Sequence, residues 1–152
     1  MSILINNTTR VIVQGITGRE GSFHAERMLE TGTQIVAGVS PGKGGSWVLG
    51  EKIPVFDTMQ GAMEVTEADA SILFVPERQS TDALFEAADA GVNLVVCITE
   101  GVPLLDISKV CKYMESKNVR LIGPNCSGVF NPGGVNLGVA PADCAIPGNI
   151  GV

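Results

Sequence analysis

The residues with the clearest chemical capability are three glycines at positions 15, 18 and 21, in the run Gly15-Ile16-Thr17-Gly18-Arg19-Glu20-Gly21. They fall between an apolar run, Val11-Ile12-Val13, and a helix-like segment that opens at Ser22. A strand, a glycine-rich turn and a helix in that order make an anion site. Glycine lets the backbone turn sharply and approach a ligand closely. The helix N-terminus adds free N–H groups and the positive end of its dipole. A side chain at Gly18 would block that approach and push φ toward a disfavoured region. The chemistry implied is phosphate binding, with a purely structural turn as the plain alternative.

The second strand narrows the ligand. In an NAD site an Asp or Glu follows the glycines by about 20 residues and holds the ribose hydroxyls. Here the run Gln34–Val39 ends in Ser40-Pro41-Gly42-Lys43-Gly44-Gly45, without a carboxylate. A lysine there suits a ligand whose adenosine carries an extra phosphate, such as NADP or coenzyme A. The glycine spacing also departs from G-x-G-x-x-G.

Other chemistry is sparse. His24 is the only histidine and falls in the first turn of the expected helix. Cys97, Cys111, Cys126 and Cys144 form no C-x-x-C pair, and no metal-ligand spacing is present. Unpaired cysteines fit reduced thiols in a cytoplasm-like compartment. Cys126 reads as a buried structural thiol.

These residues need a frame to position them, and the alternation of strand and helix signals supplies one. Strands are expected at Val11–Gln14, Gln34–Val39, Ala70–Val75, Leu94–Ile98 and Arg120–Ile122, with a short extended piece at Ile53–Phe56. Helices are expected at Ser22–Glu30, stopped by Thr31-Gly32, and from a cap at Asp57 or Thr58 to about Glu64. Two more are expected from Ser80 and over Pro103–Lys117. Leu84, Ala87, Ala88 and Gly91 share one helical face, as do Ile107, Val110, Cys111 and Met114. The segment Ser40–Gly50 reads as a loop holding Trp47, and the tail from Gly123 as turns with a hairpin at Asn131-Pro132-Gly133-Gly134. Short, β-branched strands alternating with helices predict an α/β fold, a Rossmann-like, doubly wound parallel sheet. In such a sheet ligands bind beyond the carboxyl ends of the strands.

Size and charge exclude some classes. The chain has 152 residues, enough for one domain with a full core. Its net charge is −6 and it has no Lys/Arg run, which argues against nucleic acid. Its apolar stretches, such as Leu94–Ile98, are too short for a membrane span. The start, Met1–Ile5, lacks the pattern of a signal or transit peptide. Residues 1–148 read as one domain, and residues 149–152 as the opening strand of another that would lie beyond.

Several motifs follow one another in order: Gln14-Gly15-Ile16-Thr17-Gly18, Gly21-Ser22-Phe23-His24, Ser40-Pro41-Gly42-Lys43-Gly44-Gly45, Ile98-Thr99-Glu100-Gly101 and Gly123-Pro124-Asn125-Cys126-Ser127-Gly128. Together with Met1–Ile5 they resemble the amino-terminal, CoA-binding domain of succinyl-CoA synthetase (succinate–CoA ligase) alpha subunits. The resemblance implies a ligase that makes an acyl-CoA from a carboxylic acid, CoA and a nucleoside triphosphate. It implies a phosphohistidine in a second domain and a beta-subunit partner. It implies that Thr17, Gly18, Arg19 and Glu20 line the phosphates or adenine, and that Lys43 bears on the charged nucleotide end. Ile98, Thr99 and Glu100 would also touch CoA, with Gly15, Pro41, Val75, Pro76 and Asn125 flanking. Arg19-Glu20, Trp47 and Glu77-Arg78 depart from the usual family residues. An NADPH-binding half of a reductase and a non-catalytic CoA-sensing module are the alternatives; the first leaves the motifs at Ile98 and Gly123 unexplained.

Overall fold

The structure is a computed structural model and describes residues 3–141 and 143–149. Seven strands form one sheet: β1 (Arg10–Gln14), β2 (Gln34–Val39), β3 (Trp47–Val48), β4 (Ile53–Phe56), β5 (Ala70–Leu73), β6 (Leu94–Cys97) and β7 (Arg120–Ile122). Their order is β3-β4-β2-β1-β5-β6-β7. All pairings are parallel except β3 with β4. The helices among the described residues are α1 (Arg19–Glu30), α2 (Met59–Thr66), α3 (Glu77–Asp89) and α4 (Leu104–Ser116). A separate antiparallel pair, β8 (Gly128–Phe130) and β9 (Asn136–Gly138), follows β7.

Period-two alternation gives the sheet two buried faces. Val11 and Val13 pack with Ala25 and Met28 of α1. Ile12, between them, packs with Met59 and Ala62 of α2, Leu84 and Ala87 of α3, and Val110 and Met114 of α4. The hairpin completes the first face, where Val135 and Leu137 join the α1 cluster. The tail therefore takes the place that a further helix fills in a symmetric doubly wound fold.

The fold is the expected one, with instructive differences at its edges. Helix α1 starts at Arg19, and α3 at Glu77, each three residues before the sequence expectation. Neither helix has a side-chain N-cap, Gly18 and Pro76 holding those positions. No cap signal therefore marks either start. Helix α2 does have one: Thr58 Oγ1 accepts the Gly61 N–H at 3.1 Å. The loop expected over Ser40–Gly50 contains strand β3, held by pairing of Trp47 with Pro54. Gly91 lies outside the α3 face. It follows the helix at φ +83, the left-handed conformation of a helix stop. The strands expected at Ala70–Val75 and Leu94–Ile98 stop at Leu73 and Cys97, so Val75 and Ile98 lie in the loops. Of the second opening strand expected at 149–152, residues 150–152 lie outside the described residues.

Candidate functional site

The chain leaves β1 toward β2 on one side and reaches β5 on the other through α2. The carboxyl ends of β1 and β5 thus flank the point where strand order reverses, the usual place for a ligand crevice. The turn after β1 is built on glycine. Gly15 has φ +78, and a Cβ there would lie 2.8 Å from the Phe74 carbonyl oxygen. Gly21 is tighter, with a Cβ 2.1 Å from the Gly15 oxygen. The first turn of α1 therefore packs directly on the backbone of the loop.

Gly18 differs from its neighbours. Its φ is −77, open to any residue, and a Cβ would meet only the Gly15 oxygen at 3.2 Å. The expectation that a side chain here forces φ into a disfavoured region is thus corrected. Gly18 holds the N-cap position of α1, directly before the first-turn amides, which have no intrahelical acceptor.

Hydrogen bonds stitch the loops into one rim. The Gly15 N–H donates to the Val39 carbonyl at 2.8 Å. The Thr17 hydroxyl donates to Ser40 Oγ at 3.0 Å, joining the glycine turn to the segment that carries Pro41 and Lys43. On the other side, the Thr99 hydroxyl donates to the Val75 carbonyl at 2.8 Å. The Asn125 N–H donates to the Thr99 carbonyl at 3.0 Å. Asn125 has φ +53, a conformation asparagine tolerates better than most residues. The Cys126 thiol donates to the Cys97 carbonyl at 3.3 Å, and burial pushes the Cys97 thiol up to about 11. Cys97 is thus an inert packing group.

Every expected site residue lies on this rim. Thr17, Gly18, Arg19 and Glu20 are exposed at the start of α1, with Arg19 Nε 3.3 Å from Glu20 Oε1. Pro41 and Lys43 are exposed after β2, and Val75 and Pro76 follow β5. Ile98 and Thr99 are half-buried after β6, and Glu100 is exposed. Among the described residues Lys43 takes part in no ion pair. His24 stands one turn into α1. It stacks on Phe74 with centroids 5.4 Å apart, and its Nε2 is 3.8 Å from Glu20 Oε2. Desolvation holds its pKa below the ordinary histidine value, against the raising effect of Glu20. A cavity of about 300 Å³ between α1 and the tail, lined by Arg27, Asn136 and Pro141 among others, includes none of the expected binding residues.

A family model described as CoA binding domain matches residues 6–101. The chain belongs to the CoA-binding domain family. It is 52% identical over 154 residues to the succinate–CoA ligase [ADP-forming] alpha subunit of Aquifex aeolicus, covering all of this chain and 50% of that protein. Alpha subunit 2 of the same enzyme from Archaeoglobus fulgidus is 49% identical over 152 residues, again all of this chain and 52% of the relative. The chain thus spans about half the length of the curated relatives it matches. Among solved structures, ATP citrate lyase from Methanothrix soehngenii, in complex with citrate and coenzyme A, superposes with a TM-score of 0.78. Identity there is 22%, over 90% of this chain and 24% of that one, a likeness of fold.

Two residues of this CoA-binding domain, Ser40 and Asp57, brace the loops in a way that sequence reading did not assign to them. Ser40 receives Thr17, and Asp57 Oδ1 accepts the Gly44 N–H at 2.8 Å. Their partners lie 23 and 13 residues away, and no local pattern marks such pairs. Among the described residues no group of three or more His, Cys, Asp or Glu side chains could hold a metal.

Proposed function

We propose that this domain binds coenzyme A along the stitched rim and serves as the CoA-binding part of an acid–CoA ligase alpha subunit, most like the succinate enzymes. The supporting observation is the junction of two phosphate-seeking features on adjoining loops. The first-turn amides of α1, which follow Gly18, and the unpaired Lys43 are tied together through Thr17 and Ser40. CoA fits this donor set. Its pyrophosphate would take the amides and Thr17, with Gly15, Arg19 and Glu20 beside it. Its 3′-phosphate would take Lys43, beside Pro41. Val75, Pro76, Ile98, Thr99, Glu100 and Asn125 would line the remainder. When bound, CoA supplies the thiol that carries the acyl group, and this chain's residues hold and orient it. The phosphohistidine, a second domain beginning near residue 149, a beta-subunit partner and a cytoplasmic setting belong to the same reading. None of the helices among the described residues is long and apolar enough to cross a membrane.

Calorimetry with the purified chain tests the reading. CoA is expected to bind about tenfold or more tightly than dephospho-CoA, because a charge-assisted contact is worth about 1.5–3 kcal/mol. Lys43→Gln is expected to remove most of that preference. Tighter binding of NADPH than of CoA would overturn the assignment in favour of a reductase half.

A further inference from the structure

We infer that Asp57 is a positioning residue for Lys43, and that through this lysine it sets the preference for an adenosine bearing a 3′-phosphate. The inference rests on the CoA reading above and adds a residue to it. Asp57 directly follows β4, and its neighbour Thr58 supplies the cap of α2. Its own carboxylate turns to the Lys43 loop, where Oδ1 accepts the Gly44 N–H at 2.8 Å.

The surrounding bonds fix the lysine's backbone. The Lys43 N–H donates to the Ser40 carbonyl at 3.0 Å, and the Ser46 hydroxyl donates to the Lys43 carbonyl at 2.6 Å. The Gly45 N–H donates to the Val55 carbonyl at 3.0 Å. Lys43 is thereby held by its backbone on both sides, while its ammonium enters no ion pair among the described residues. A lysine on a loose loop would spend entropy to reach a phosphate, whereas one on a braced loop is partly organised beforehand.

Gly44 gives an independent sign of the same arrangement. Its φ is outside the left-handed region, so its backbone does not demand glycine. A Cβ there would instead lie 2.4 Å from Asp57 Oδ2. The missing side chain makes room for the carboxylate. Asp57 also lies just before the first turn of α2, where the helix dipole favours a negative charge. The carboxylate therefore has partners that leave Lys43 available to a ligand.

The test is titration of CoA and dephospho-CoA into the 152-residue chain and five variants, with thermal melts to confirm folding. Asp57→Ala is expected to weaken CoA about five- to tenfold and dephospho-CoA by less than about twofold, a loss within the range of one ordinary hydrogen bond. Asp57→Asn keeps an acceptor oxygen and is expected to retain most of the preference. Gly44→Ala, which displaces the carboxylate, is expected to behave as Asp57→Ala does. Lys43→Gln is expected to remove the preference, and adding Asp57→Ala to it to change nothing more. If Lys43→Gln abolishes the preference while Asp57→Ala keeps it, or weakens both ligands equally, the role of Asp57 is overturned and the CoA reading stands. A wild-type chain that treats both ligands alike overturns the role of Lys43 and this inference with it.

Discussion

At the scale of single residues, the three glycines of the first turn have three different reasons to be glycine. Gly15 needs a positive φ against the β5 loop, and Gly21 needs the space that a Cβ would take from the Gly15 carbonyl. Gly18 needs neither, and on the proposed CoA reading its reason is the ligand. Different variants should therefore fail in different ways. Gly21→Ala is expected to lose about 1–3 kcal/mol through overpacking, read as a lower urea midpoint. Gly18→Ala is expected to stay within about 1 kcal/mol of wild type, the scale of an N-cap change, and to weaken CoA. Gly18→Val should also fold and lose CoA binding. A stable Gly21→Ala protein beside an unfolded Gly18→Ala one would reverse this assignment. The three positions look alike in the sequence, because spacing reports that a turn exists and not which atoms crowd each α-carbon.

At the scale of elements, the starts of α1 and α3 and the tail carry the lesson. Beginning at Arg19 puts Arg19 and Glu20 in the first helical turn, with their amides turned toward the rim. The tail hairpin is a structural wall. Leu137 is fully buried with Val135 against the α1 face, whereas Leu104, at the start of α4, is 83% exposed. Leu137→Ala is accordingly expected to cost about 2–5 kcal/mol and Leu104→Ala less than about 0.5, measured by urea denaturation. Equal effects would mean that the hairpin does not close the core. A glycine- and proline-rich tail reads as loop because it has no helical period. Its burial comes from the face that α1 leaves uncovered.

At the scale of the whole molecule, a highly anionic ligand meets a chain of net charge −6. Local donors must therefore outweigh the overall field, and the helix termini and Lys43 are the candidates. His24 belongs to the frame of that site. One ring face lies on Phe74, its pKa is lowered by burial, and the Glu20 carboxylate beside it repels a phosphoryl group. The 152-residue chain is therefore expected to take no label on His24 from labelled ATP and Mg²⁺, with or without a beta-type subunit. Acid-labile label that disappears in His24→Asn would make this histidine the phosphoryl carrier.

The sequence by itself determined the alternation of strands and helices, the glycine turn after β1 and the lysine after β2. Each depends on side-chain periodicity or backbone freedom within a few residues. It also placed Thr99-Glu100 and Asn125 beyond their strands, since in a parallel sheet the loops after the strands share one edge. Only the tertiary structure decided how those loops are joined. Thr17 with Ser40, Thr99 with Val75 and Asp57 with Gly44 lie 23, 24 and 13 residues apart in the chain. The strand order that sets β2 beside β1, β6 beside β5 and β4 beside β2 places each pair within hydrogen-bond reach. A polar residue in a loop carries no local mark of its partner, because that partner is selected by the packing of the sheet.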